Sequence, residues 1–266
     1  YVQRGDVAVY SKHERARLAV LGGADIVFEL PAVFSLRSAL PFAEASVFLL
    51  SAAGCDFIAF GAECDDINVL TAAADLFLSE PGPFQNKLRE NLKRGMSFAA
   101  ARTSAAEDID QKIAKITKTP NNILAVSYIM ALKRLKYDAL PVITLRRGAE
   151  HDETVSHGEF ASASFIRCAL AAGRDMSHFM PNISRETPVS VYDFESLILY
   201  ALRTSDAGFI SSVADSSDGL SERLISSRAK TLSELLNEVK TKRLALSRIK
   251  RVLLNILIKN NISLEC

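Results

Sequence analysis

The sequence predicts an α/β fold with a parallel sheet, followed by an all-helical C-terminal region. Three observations carry this reading. Short β-branched or aromatic apolar runs occur at 25–30 (DIVFEL), 56–60 (DFIAF) and 141–145 (PVITL). Helical apolar spacing fills the stretches between them, and no convincing strand pattern follows Gly173. Strands alternating with helices imply crossover connections, and hence a parallel sheet layered with helices.

The elements follow in order. Residues 12–21 place Ala16, Ala19 and Val20 at helical spacing, and 25–30 reads as the first buried strand. Residues 38–53, rich in Ala, Leu and Phe, predict a helix before the strand at 56–60. Glu80-Pro81-Gly82-Pro83 and Lys93-Arg94-Gly95 punctuate a short amphipathic helix without dividing the domain. Ile123, Val126, Ile129 and Met130 line one stripe of a helix over 122–136, with Pro120 at the turn and an Asn available as N-cap. The strand at 141–145 comes next.

A boundary is expected in the loop 174–187, giving an α/β domain over 1–175 and a helical domain over 176–266. Helices are predicted at 194–203, capped by Asp193, at 220–227, and at 231–259, where Thr231 and Glu234 form a capping box. In the last of these, Leu246, Ile249, Val252, Leu253, Ile256 and Leu257 make an apolar stripe, with basic residues off it.

Composition narrows the function classes. The chain has 266 residues, 48% hydrophobic and 24% charged, as a globular protein with a substantial core would be. The most apolar stretch, 45–53, is far shorter than the roughly 20 residues of a membrane helix, so no membrane role is expected. Four scattered cysteines without a C-x-x-C pair argue against a zinc ribbon or disulfide scaffold, and a reducing cytoplasm fits best. The first residue is Tyr1, and an incomplete chain is expected.

Charge is asymmetric. Residues 240–264 carry seven cations and no acid, leaving −6 elsewhere against an overall +1. Such a basic end suggests a polyanionic partner, nucleic acid before membrane, through Lys240, Lys242, Arg243, Arg248, Lys250 and Arg251. A solvated basic face is the plainer alternative.

Several residues could carry chemistry. Gly61 closes a predicted parallel strand, where ligands of open α/β sheets bind and a flat base can approach backbone. Asn121 and Asn122 open a helix and can cap it or touch a ligand. Arg146 and Arg147 follow the third strand, and paired guanidinium forks suit polyphosphate. Ser162 and Ser164 open the next helix, offering hydroxyls and free N–H groups to an anion, with capping as the structural alternative. Gln3 and Arg4, beside Gly5, form a turn that could contact an anion. His13, His151, His157 and His178 lack metal-ligand spacing, and no G-x-S-x-G supports a hydrolase.

Read together, Gln3-Arg4-Gly5, Lys12 to Ala16, Gly23-Ala24-Asp25 with Glu29-Leu30-Pro31, Ser38-Ala39 with Phe42-Ala43, and Phe60-Gly61-Ala62-Glu63 resemble the bacterial tRNA(Met) cytidine acetate ligase family. The likeness continues through Pro120 to Ala125, Gly219-Leu220, Lys240 to Arg243, Ser247-Arg248 and Arg251, and covers nearly the whole chain. Leu244 and Ala245 depart from it, standing where the family usually has Tyr-Thr.

The resemblance implies a Rossmann-like nucleotidyltransferase domain and a helical tRNA-binding domain. It also implies activation of acetate with ATP and Mg2+ to acetyl-adenylate, and acetyl transfer to N4 of the wobble cytidine of elongator tRNA(Met). It makes Gly61, Asn121, Asn122, Arg146, Arg147, Ser162 and Ser164 ATP contacts. It places a first strand and a His-x-Gly-His-type phosphate loop before Tyr1 and a further segment after Cys266; a chain without that loop is expected to adenylate little. Alternatives are an adenylyltransferase for another small acceptor and an inert RNA-binding fragment.

Overall fold

The computed structural model describes residues 1–146, 156–157, 160–180 and 184–261, with backbone alone at 156, 157 and 160. Helix α1 (Lys12–Leu21) begins at Ser11, whose hydroxyl accepts from the Glu14 N–H, and is followed by α2 (Ala32–Ser35) and α3 (Ala39–Ala52). Strand β1 (Phe57–Ala62) then leads through α4 (Ile67–Ser79), α5 (Gly82–Lys93), α6 (Phe98–Glu107), α7 (Gln111–Ile116) and α8 (Pro120–Leu135) to β2 (Leu140–Leu145). A short antiparallel pair, β3 (Ser156–His157) and β4 (Phe160–Ala161), precedes α9 (Ala163–Ala171).

The chain ends in helices. A 3-10 turn (Val191–Phe194) runs into α10 (Glu195–Thr204), then α11 (Ala207–Ser212), α12 (Leu220–Ser226), α13 (Leu232–Val239) and α14 (Leu246–Leu257). Ser190 is the N-cap of the 3-10 turn. Asp193, expected as the cap, closes the box instead by accepting from the Ser190 N–H and hydroxyl.

β1 and β2 pair in parallel, Phe57 with Leu140 through Ala62 with Leu145. Alternation turns Ile58, Phe60 and Ala62 inward, and Phe60 stacks on Tyr128 of α8 at 5.6 Å. α3, α4 and α8 pack into this core, joined by Phe77, Phe84 and the alanines of α6. On the opposite face of the sheet Phe57, Leu140 and Val142 are exposed, so among the described residues the helices cover one face.

The run at 25–30 is not a strand. A strand exists through ladder partners, and this segment has none among the described residues. Ile26, Val27 and Phe28 are 68%, 42% and 50% exposed.

The helical region has its own core, built from α10 to α14, in which Ile198, Leu232, Leu235, Ile249 and Leu253 belong to one buried cluster. Val7 and Leu36 join that cluster. Asn255, buried in α14, donates to the Leu36 carbonyl at 3.2 Å, and Asp6 accepts from the Val191 N–H at 3.2 Å. The N-terminal arm therefore lies against α14.

The helix expected over 231–259 is two helices. The Thr241 hydroxyl accepts from the N–H groups of Arg243 and Leu244, at 3.2 and 3.1 Å, which diverts the backbone into a turn. The capping box of Thr231 with Glu234 forms as the sequence predicts.

Gly5 is the tightest point of the arm. Its φ is +76°, and a Cβ there would lie 2.6 Å from both the Arg251 backbone nitrogen and the Ser247 carbonyl oxygen. Neither backbone atom can rotate away. Gly5→Ala is expected to cost about 2 kcal/mol or more of stability, read as a lower urea midpoint.

Candidate active site at the carboxyl edge of the sheet

Parallel pairing brings the ends of β1 and β2 to the same edge. Gly61 sits opposite Thr144, and the Arg146 N–H extends the ladder to the Ala62 carbonyl at 3.0 Å. A Cβ on Gly61 would lie 3.7 Å from the Arg146 Cγ, an ordinary van der Waals distance. Gly61 is exposed, and its φ lies outside the left-handed region. The fold itself therefore does not demand glycine here. What results is a bare stretch of backbone flanked by an arginine stem. The Arg146 side chain is exposed and makes no ion pair among the described residues.

Behind this ledge, Glu63 and the two asparagines lock β1 to α8. The Asn122 side-chain oxygen accepts from the N–H groups of Glu63 and Cys64, each at 2.9 Å. In return, Glu63 accepts from the Asn122 N–H at 2.9 Å and from the Asn121 side-chain amide at 2.5 Å. Burial pushes the Glu63 carboxyl upward, but hydrogen bonds from Asn121, Thr119 and the Asn122 backbone outweigh it and hold the pKa below the usual glutamate value. α8 begins at Pro120 with Thr119 as its N-cap, so neither asparagine is the cap. Asn122 is only 3% exposed and acts as a clamp on the strand end. Asn121 is half-buried beside it.

Glu63 is the residue that sequence reasoning passed over, although it lies inside the Phe60-Gly61-Ala62-Glu63 run. A carboxylate two residues past the strand glycine could have been paired with the free N–H groups at the start of α8.

The other expected contacts sit on other elements. The Ser162 hydroxyl, buried, accepts from the Phe165 N–H at 3.0 Å and caps α9, while Ser164 accepts from Arg167 at 3.0 Å. Arg147 lies outside the described residues, as does His151. Gln3 donates to the Arg37 carbonyl at 3.3 Å, and its own carbonyl accepts from Arg251 at 3.4 Å. Arg4 is exposed at the same turn. Among the described residues no group of three His, Cys, Asp or Glu side chains could hold a metal ion.

The basic residues divide into two sets. Arg251 is 7% exposed and gives two hydrogen bonds to the Asp215 carboxylate; burial lowers its pKa while Asp215 opposes that. Arg248 binds the Asp215 and Ser217 carbonyls, the Ser217 hydroxyl and the Asp218 carboxylate. Lys250 meets Asp6 at 3.4 Å. These three staple α14 to its surroundings, and each of the basic residues expected at a phosphate surface here has an internal acidic partner. Lys240, Lys242 and Arg243 are exposed on the α13–α14 loop.

A family model described as HIGH Nucleotidyl Transferase matches residues 1–263. The chain belongs to this family. Among its relatives, a Caldanaerobacter subterraneus protein named tRNA(Met) cytidine acetate ligase is 35% identical over 97% of this chain and 68% of its own length. A Clostridium perfringens protein of the same name is 33% identical, over 98% of this chain and 70% of its own. The chain thus spans about two thirds of the curated relatives.

Two crystal structures of Thermotoga maritima TmcAL align over 98% of this chain. The apo form has a TM-score of 0.90 at 29% identity and is covered to 67%. The form bound with alpha-thio ATP has a TM-score of 0.87 at 28% identity and is covered to 66%. The α/β architecture with a small parallel sheet and many helices is that of a HIGH nucleotidyltransferase.

Because the pKa of Glu63 is lowered by folding, its contribution to stability is present above the unfolded carboxyl range and is lost as pH falls through the native value. Glu63→Gln also turns a donor toward donor groups. The stability gap between wild type and Glu63→Gln should be largest near neutrality and narrow below about pH 4, in urea titrations across pH.

Proposed function

We propose that this chain is the nucleotide-activating part of an ATP-dependent ligase that makes acetyl-adenylate and acetylates N4 of the wobble cytidine of elongator tRNA(Met). The observation that carries the reading is the pairing of bare Gly61 backbone with the exposed Arg146 side chain at the carboxyl edge of a parallel sheet. Relatives bearing the ligase name, and an ATP analogue bound to one similar structure, support it.

The chemistry asks for positioning and charge stabilisation. An acetate oxygen attacks the α-phosphorus of ATP, forming an acyl–phosphate bond as the bond to the β-phosphate breaks and pyrophosphate leaves. The cytidine N4 then attacks the acetyl carbon, AMP departs, and the amine proton passes to solvent. Neither step needs a covalent enzyme nucleophile. In this reading the Gly61 backbone receives the nucleoside, and Asn122 and Glu63 hold that backbone still. The Arg146 guanidinium offsets phosphate charge. The α9 start at Ser162 and Ser164 lends further N–H groups toward phosphate.

Magnesium has no protein cage that fits it among the described residues. A divalent ion accompanying ATP would be held by the triphosphate itself, and the steps above do not run through it. For the tRNA we assign contact to Lys240, Lys242 and Arg243, which face solvent.

With the intact protein, labelled pyrophosphate should exchange into ATP only when acetate is added, and exchange without acetate would overturn acetate as the substrate. Gly61→Val should weaken ATP binding at least about tenfold in calorimetric titrations. Its melting temperature should stay close to that of wild type, because Gly61 is an exposed strand position and the side chain beside it is the exposed stem of Arg146.

A further inference from the structure

Two cationic loops, one from each core, meet at a hydrogen bond. The Arg243 Nε donates to the Gly95 carbonyl at 2.9 Å, joining the α13–α14 loop to the end of α5. Gly95 has a φ of +91°, and a Cβ on it would lie 2.7 Å from the Arg243 Nη2, so the absence of a side chain lets the guanidinium close on the backbone. The contact sets Lys93 and Arg94 on one side and Lys240, Lys242 and Arg243 on the other, all five exposed. Among the described residues one carboxylate engages the group, Glu90 on Arg94.

Bringing five cations together against one acid is unfavourable unless an anion shares the surface. A solvated patch tolerates this, but a fixed interloop contact that holds the two runs side by side is more than solvation requires. The spread across two loops suits successive phosphates of a nucleic acid strand better than one small anion.

We propose that Lys93 and Arg94 extend the Lys240–Arg243 loop into one phosphodiester-binding surface that spans both cores and takes the backbone of a folded RNA. This deepens the tRNA reading above and rests on it. Arg243 serves as the latch that sets the spacing of the two loops. Lys93, Arg94, Lys240 and Lys242 join Arg243 in supplying the phosphate contacts.

The test is the affinity of the protein for an unmodified elongator tRNA(Met) transcript, followed by fluorescence anisotropy over a salt series. Lys93→Ala with Arg94→Ala should lower affinity about tenfold and flatten the log–log salt slope by roughly 1.4, at about 0.7 per lost phosphate contact. Lys240→Ala with Lys242→Ala should do the same. Lys93→Arg with Arg94→Lys should keep both affinity and slope, and urea midpoints of all variants report that folding is intact.

If the Lys93/Arg94 pair changes neither quantity while the Lys240/Lys242 pair changes both, the surface is confined to the helical core. That result overturns this proposal and leaves the tRNA reading standing. If wild type fails to bind the transcript, or binds only phosphatidylserine vesicles, both fall.

Discussion

The in-register parallel pairing of β1 with β2 is the constraint from which the candidate site follows. Parallel strands end on one edge, so residues far apart in sequence, Gly61 and Arg146, come to neighbouring positions there. The reciprocal bonds between Glu63 and Asn122 then hold the strand end against the start of α8. Each partner satisfies N–H groups that would otherwise be orphaned where a strand ends and a helix begins. A half-buried carboxylate is tolerated because its hydrogen bonds exceed its desolvation, as its lowered pKa records.

A second set of contacts ties the beginning of the chain to its end. Gly5 touches backbone of α14, Asp6 receives Lys250 and the Val191 N–H, and Asn255 reaches the Leu36 carbonyl. Arg251, read from sequence as a cation for nucleic acid, is instead buried against Asp215 and the Gln3 carbonyl. Removing its partner would leave a buried charge unpaired, so Arg251 belongs to the frame of the fold. The turn that Thr241 creates between α13 and α14 leaves Lys240, Lys242 and Arg243 exposed.

Much of the fold was legible because its signals are local. Apolar spacing located α1, α3, α8 and the two strands of the parallel sheet, and Thr231 with Glu234 marked a helix start through bonds to nearby N–H groups. The run at 25–30 misled because its composition is that of a strand, while strand formation depends on a neighbour that composition does not reveal. The long C-terminal helix misled because an apolar stripe continues in phase on either side of Thr241. A single hydroxyl accepting two N–H groups interrupts it.

By itself the sequence determined the α/β class, the helical C-terminal region, the strand-end glycine, the asparagine pair, and a basic terminal segment. These depend on residue type and short spacing, which the chain carries wherever it folds. Only the tertiary structure decided which of those groups are used up internally. It turned Asn122 into a clamp, gave Glu63 a role, buried Arg251 and left Arg146 and Lys242 facing solvent. The physical reason is that a polar side chain's availability is set by its desolvation and its partners, and the partners here come from distant parts of the chain.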